Sequence, residues 1–92
     1  MRINFYSSFR ENAGVKSIDL PLVGVTTVMD IISSILRQYP GLKRLWLDEN
    51  EELHGHVHIS VNKVDVLALP DQLGTVVGEK DELDFYPPIT GG

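Results

Sequence analysis

Hydrophobic and polar residues alternate along the first stretch of the chain. One face of an extended backbone would carry Met1, Ile3, Phe5, Ser7 and Phe9, and the other would carry Arg2, Asn4, Tyr6 and Ser8. A period of two is typical of a half-buried β-strand. Residues 11–14 have the composition of a turn, and residues 18–22 alternate again, with Pro21 indicating an edge strand or a strand end. The pattern predicts two strands paired as a hairpin.

At Val28 the hydrophobic period changes to that of a helix. The apolar residues follow the spacing i, i+3, i+4, i+7, i+8 and i+11, namely Val28, Ile31, Ile32, Ile35, Leu36 and Tyr39. This spacing predicts a helix with one apolar face, which must pack against a sheet. Thr26 or Thr27 can cap its start, Asp30 suits its first turn, and Pro40-Gly41 ends it.

The second half of the chain predicts three further strands, over residues 57–62, 64–67 and 82–86, the last ended by Pro87-Pro88. Between helix and strands, Leu42, Leu45, Trp46 and Leu47 are expected to pack on the core, and residues 48–52 to form a solvated turn. This order fits an α+β fold of the β-grasp or ubiquitin-like type, with one main helix packed across a mixed sheet. We expect one domain over residues 1–86 and a flexible C-terminal tail over residues 87–92.

The balance of charge narrows the choice of partners. Thirteen acidic residues against eight basic ones give a net charge of -5, with acidic runs at residues 48–52 and 79–84. Such a surface repels phosphate backbones, so no nucleic-acid partner is expected, whereas a basic patch on a protein would be attracted. The same acids can instead simply keep a small domain soluble. No segment predicts a membrane span or a signal peptide, so we expect a cytoplasmic protein without membrane contact.

Side chains with catalytic or metal-binding chemistry are sparse. The chain has no cysteine, which excludes thiolate nucleophiles and thiolate ligands. His54, His56 and His58 lie at alternate positions and would share one strand face, where imidazoles can bind zinc. Without cysteine or an identified acidic ligand, ordinary surface histidines are favoured, and no bound metal or cofactor is expected. Ser7, Ser8, Asp30 and Asp84 show no nucleophile and base arrangement, so we expect a non-catalytic protein.

The last six residues, 87–92, follow the final predicted strand and have nothing left to pair with. Fully extended they would span roughly 20 Å at about 3.3 Å per residue, enough to enter another protein's active site. The prolines stiffen the root of this tail, and Gly91 and Gly92 leave the terminal carboxyl carbon unobstructed. A carboxylate needs activation, for example to an acyl-adenylate by a separate ATP-using enzyme. We therefore predict a carrier protein whose reactive group is the Gly92 carboxylate.

The ending Asp84-Phe85-Tyr86-Pro87-Pro88-Ile89-Thr90-Gly91-Gly92 resembles the Phe-Phe-Pro-Pro-Val-x-Gly-Gly terminus of the MoaD/ThiS sulfur carriers, in particular the small subunit of molybdopterin synthase. Phe9-Arg10-Glu11 with Gly14, Tyr39-Pro40-Gly41-Leu42 and residues 57–62 also resemble segments of that family. Residues 47–56 are similar to the branch that includes archaeal ubiquitin-like small modifier proteins. The family usually has glycine in place of Lys63 and Lys80, so we expect Asn62 and Gly78 to supply any positive φ in those turns.

The resemblance implies that a ubiquitin-activating-type adenylyltransferase uses ATP to adenylate Gly92, and that a sulfur donor protein then provides a thiocarboxylate. In the molybdopterin branch the tail enters the large synthase subunit and donates sulfur to a pterin precursor, so this chain would be the non-catalytic subunit. In the modifier branch the same terminus is joined to target lysines. Similar carriers serve other pathways, such as transfer-RNA thiolation. A last hypothesis is a plain interaction domain whose tail has no chemistry.

A tail that threads into a partner needs its root held against that partner. By strand alternation, Tyr6 and Tyr86 should face away from the helix, which makes them candidates for this contact. The full set of predicted partner-binding residues is Tyr6, Arg10, Tyr86, Pro87, Pro88, Ile89 and Thr90. Phe85, by contrast, is expected to pack in the core.

Overall fold

The computed structural model describes residues 1–88, and the predictions for Ile89, Thr90, Gly91 and Gly92 lie outside them. In chain order the elements of the described part are β1 (Arg2–Phe5), α1 (Ser7–Ala13), β2 (Ser17–Asp19), β3 (Thr26–Thr27), α2 (Val28–Gln38), α3 (Lys43–Trp46), β4 (His58–Val61), β5 (Val64–Asp65), β6 (Val76–Val77) and β7 (Glu82–Tyr86).

The main sheet is mixed, with the strand order β2-β1-β7-β4-β5. β1 and β7 pair in parallel at its centre, with Phe5 opposite Phe85, while the other neighbours pair antiparallel. β3 and β6 form a separate two-stranded sheet. The last strand is therefore paired on both sides. This is the β-grasp arrangement that the sequence predicts.

Helix α2 begins at a complete capping box. Of the two candidate caps, Thr27 is the one used: its hydroxyl accepts the Asp30 N–H at 3.2 Å, and the Asp30 carboxylate accepts the Thr27 N–H at 2.9 Å. Its predicted apolar face is confirmed, since the buried residues are Val28, Ile31, Ile32, Ile35 and Leu36. Tyr39 is half-buried at the C-terminal end.

The core contains a group of aromatic side chains centred on Trp46. This side chain is fully buried, as are Leu42 and Phe85, while Leu45 and Leu47 are partly buried. The Trp46 ring stacks on Phe85 with 4.7 Å between ring centroids and meets Phe9 edge-on at 5.5 Å. Such aromatic pairs stabilise a core beyond the area they bury. The predicted packing of the segment after α2 is confirmed.

The prediction of a strand reaching Phe9 is wrong. β1 ends at Phe5, and Ser7, with a φ of 52°, starts helix α1. Phe9 is still buried, at 2% exposure, but it reaches the core from the helix. Gly14 ends α1 in the left-handed region at a φ of 78°. β1 and β2 pair as predicted, but a helix connects them instead of a tight turn.

Other strands are shorter than the alternation predicts. β2 covers three residues at the sheet edge, in agreement with the signal from Pro21. β5 covers only two residues, because Asp65 accepts the Leu67 N–H at 2.8 Å and begins a 3₁₀ turn over Val66–Ala68. The β3–β6 pair was not predicted, since two residues per strand give no readable period.

The turns around Lys63 and Lys80 meet only part of the expectation about positive φ. Asn62 has a φ of 50° as expected, but Lys63 is also left-handed, at 70°. Gly78 does not adopt positive φ, so that prediction is wrong. Its turn is instead held by the Asp81 carboxylate, which accepts the Gly78 N–H at 2.7 Å. Lys63 thus occupies a backbone conformation that favours glycine.

Candidate functional site

The face of the main sheet opposite α2 carries polar side chains beside the start of the tail. Along β7, Leu83 and Phe85 point into the core, so Asp84 and Tyr86 lie on the other face. β1 runs parallel to β7, so Tyr6, which directly follows β1, lies at the same end of the sheet as Tyr86. The centroids of the two tyrosine rings are 6.3 Å apart. Both tyrosines face away from the helix, as predicted.

Two further side chains extend this pair of tyrosines into a row. The Arg10 guanidinium lies 5.8 Å from the centre of the Tyr6 ring, while its Nε donates to the Phe5 carbonyl at 3.1 Å. On the other side the His58 ring stacks on Tyr86 with 5.5 Å between centroids. Together with Lys63, described next, this set forms what we call the tail-root surface, defined as Tyr6, Arg10, His58, Lys63 and Tyr86.

A buried carboxylate lies beneath this surface. Asp84 is only 4% exposed. Its Oδ1 accepts from the Asn4 amide at 2.8 Å and from the Tyr6 hydroxyl at 3.2 Å, and its Oδ2 accepts from Lys63 Nζ at 2.9 Å. Nearby, the hydroxyls of Ser60 and Tyr86 are 3.1 Å apart. A buried carboxylate requires such partners, and here they come from three different strands or loops.

This network fixes the charge of its members at neutral pH. Burial alone would raise the pKa of Asp84, but hydrogen bonds from Lys63 and Asn4 outweigh burial and hold the pKa below its usual value. The hydrogen bond to Asp84 raises the pKa of Lys63, and its charge adds to that effect. Burial, and then the charge of Asp84, raise the pKa of Tyr6. The surface therefore presents a protonated lysine beside a neutral tyrosine.

The Asp84 network predicts a pH-dependent contribution to stability. Because the folded-state pKa of Asp84 is lowered, its contribution is present above the unfolded pKa, about 3.9, and is lost as the pH falls through the folded value. We expect Asp84→Asn to lower the free energy of unfolding by about 1–2 kcal/mol at pH 7. The difference from wild type should shrink as the pH falls below about 3.9 and through the lower folded-state pKa, as measured by urea unfolding.

A matched control for this measurement is Asp19→Asn, which removes a carboxylate whose side chain is 79% exposed at the edge of the same sheet. Its salt bridge with Arg2 lies in solvent, so the substitution should change stability little at any pH. A pH-independent difference between wild type and Asp84→Asn would contradict the role assigned to Asp84.

The three histidines are not brought onto one strand face, so that expectation is wrong. Only His58 lies in β4, where it pairs with Tyr86, while the rings of His54 and His56 stack on each other at 4.4 Å. Within residues 1–88 no group of three His, Cys, Asp or Glu side chains is arranged to hold a metal ion.

Sequence reasoning missed His58 and Lys63 as members of the tail-root surface. For His58, the alternation of residues 57–62 was the available signal.

Of the predicted partner-binding residues, Tyr6, Arg10 and Tyr86 lie together. Pro87 borders a depression with Tyr6, Ser7, Ser60, Lys63, Asp84 and Tyr86, and Pro88 is exposed. That these residues bind a partner remains a prediction, as does the boundary at residue 86. Among the helices of the described chain, none combines the length and hydropathy needed to cross a membrane.

Comparison with known proteins defines the class. No protein-family model matches the chain. The chain is 33% identical to small archaeal modifier protein 3 of Haloferax volcanii over 92 residues, covering 100% of this chain and 98% of the relative. The crystal structure of small archaeal modifier protein 1 from the same organism matches with a TM-score of 0.85 at 25% identity, over 99% and 97% of the two chains.

A third match is the crystal structure of the BexX/CysO complex from Amycolatopsis orientalis, with a TM-score of 0.76 at 28% identity over 99% and 98% of the two chains. These similarities confirm the predicted β-grasp fold and define a ubiquitin-like protein of the sulfur carrier and modifier class. Within that class, the chain belongs to the family of small archaeal modifier proteins.

Proposed function

We propose that the chain is a sulfur carrier that acts through the carboxylate of Gly92. The observation that carries this proposal is the placement of β7, which is paired on both sides and ends beside the tail-root surface with Pro87-Pro88. A strand fixed in this way gives the residues that follow a rigid point of departure, and the prolines cannot extend the sheet.

The chemistry begins with activation by a ubiquitin-activating-type adenylyltransferase in the cytoplasm. A carboxylate oxygen of Gly92 attacks the α-phosphate of ATP, and pyrophosphate leaves. A sulfur nucleophile at the oxidation level of sulfide, supplied by a donor protein, then attacks the acyl carbon; AMP leaves, and the product is a thiocarboxylate. Because the chain contains no cysteine, the terminal carbonyl group is the place where it can hold sulfur covalently.

For the acceptor we propose a pterin precursor in molybdopterin biosynthesis, with this chain as the small, non-catalytic subunit of molybdopterin synthase beside the large subunit. The resemblance of the Pro87-Pro88 ending to that subunit supports this choice. Sulfur delivery in another pathway, such as transfer-RNA thiolation, would use the same activated terminus and differ only in the acceptor.

The second candidate function is that of a protein modifier joined through Gly92 to lysines of target proteins. The relative that is 33% identical over the whole chain is named a small archaeal modifier protein, which favours this candidate. In this case the amine of a target lysine, and not sulfur, would take the activated acyl group. Activation is common to both candidates, so the two differ in the nucleophile.

Intact-mass analysis of the protein recovered from its native cells tests both candidates, with a variant lacking Gly92 as the control. Replacement of one terminal oxygen by sulfur, without conjugates, supports the sulfur carrier. Conjugates on other proteins that disappear in the control support the modifier. If neither is found in growing cells, the plain interaction domain is the better description.

A further inference from the structure

Lys63 combines an unfavourable backbone with a defined side-chain position. Its φ of 70° lies in the region that favours glycine, and Ser7, which borders the same depression, has a φ of 52°. Backbone strain of this kind persists where the surrounding structure enforces it, and it is concentrated at functional sites. Here the side chain of Lys63 crosses the open face of the sheet to reach Asp84.

The contact with Asp84 leaves most of the ammonium group accessible. Nζ donates one hydrogen bond to Oδ2, while the side chain of Lys63 is 68% exposed and that of Asp84 is 6% exposed. An ammonium group has three donors, so two remain for a ligand. Asp84 thus holds the cation in place, without covering it, in the depression that Tyr6 and Tyr86 also border.

The exposed charges of the tail-root surface are two cations, although the chain as a whole is acidic and the half-buried Glu82 lies two residues from Asp84 on the same sheet face. The net charge is -5, yet Lys63 and Arg10 are both exposed at the tail-root surface. The carboxylate bonded to Lys63 is buried. A partner that receives the tail must approach this surface, because Pro87 borders it. A partner carboxylate would complement these two exposed cations, whereas a partner cation would meet two like charges.

We infer that Lys63 is a docking residue for an acidic side chain, Asp or Glu, at the rim of the partner site that receives the tail. The aromatic rings of Tyr6 and Tyr86 supply the adjoining apolar contact. Asp84 acts as the positioning residue that holds the Lys63 ammonium. This inference rests on the proposed activation of Gly92 and specifies the chemistry of the surface that the activating enzyme presents.

The test measures ATP–pyrophosphate exchange catalysed by the adenylyltransferase from the same cells, with the full chain as substrate. Lys63→Glu should raise KM about tenfold with little change in kcat, because docking precedes chemistry. Lys63→Arg, which keeps the charge, should stay within about twofold of wild type. Lys43→Glu, on the exposed surface of α3, makes the same change in net charge elsewhere and should also stay within about twofold.

Ionic strength separates docking from a structural role. The wild-type KM should rise between about 50 and 300 mM salt, and the Lys63→Glu KM should rise less, because the favourable charge pair has been removed. Urea unfolding verifies that each variant is folded under assay conditions. An unchanged KM for folded Lys63→Glu overturns the inference, and so does an equal effect of Lys43→Glu.

Two further outcomes have a definite meaning. If wild-type protein supports no exchange at all, the proposed function fails and the inference fails with it. If Lys63→Glu alters the sedimentation of the protein by itself, the surface mediates contact between copies of this chain, and the assignment to an activating enzyme is wrong.

Discussion

Replacing Trp46 with alanine is expected to lower the free energy of unfolding by about 3–5 kcal/mol, the usual range for truncating a buried aromatic residue. Trp46 is fully buried and lies against both Phe85 and Phe9, so its removal leaves a cavity bordered by rings from two elements. Domains of this size have a total stability of roughly 5–15 kcal/mol, so the variant should be only marginally folded. Urea unfolding monitored by circular dichroism measures the loss.

The expected loss is specific to the buried position. Leu67→Ala removes an apolar side chain that is 65% exposed, and it should change stability by less than about 0.5 kcal/mol. If Trp46→Ala lowers the free energy of unfolding by less than about 1.5 kcal/mol, the neighbouring side chains must repack to fill the cavity. Because Phe85 lies between Asp84 and Tyr86 in β7, a repacked core would also alter the open face. The stability of the ring stack and the geometry of the tail-root surface are therefore linked.

The main helix and the central strands were predictable because their hydrophobic periods are long and regular. Residues 28–39 place six apolar side chains at helical spacing. Residues 57–62 and 82–86 alternate between apolar and polar side chains. Helix α1 was missed for a physical reason. Ser7 and Phe9 continue the alternation of β1, so burial of Phe9 is satisfied equally by a strand and by the short helix that forms.

The tail-root surface could be predicted only in part. Alternation placed Tyr6 and Tyr86 on the open face, and the parallel pairing of β1 and β7, which no local pattern reveals, brings them together. Lys63 joins them because its turn takes two consecutive positive φ values, although glycine would be the usual choice. Asp84 resembled an ordinary surface acid in the sequence. Its burial follows from the side chains of Asn4, Tyr6 and Lys63, which come from distant parts of the chain.

Deleting Gly92 is expected to reduce activation of the chain by more than about 100-fold. The deletion moves the terminal carboxylate back by about 3.3 Å along an extended tail, whereas a misplacement of about 1 Å can already cost about 100-fold in rate. The fold should be unaffected, because the core and the sheet lie within residues 1–86. ATP–pyrophosphate exchange with the adenylyltransferase measures the effect, and urea unfolding confirms equal stability.

Two matched variants distinguish tail length from a general sensitivity of the tail. A chain extended by one further glycine displaces the carboxylate by the same distance in the other direction and should lose activation to a similar degree. Thr90→Ser keeps the length and both glycines, and should be activated at nearly the wild-type rate. Because the tail-root surface fixes where the tail begins, the length of the tail decides where the terminal carboxylate lies in the active site of the adenylyltransferase. Exchange at the wild-type rate after deletion of Gly92 would show that the terminal carboxylate is not the reactive group.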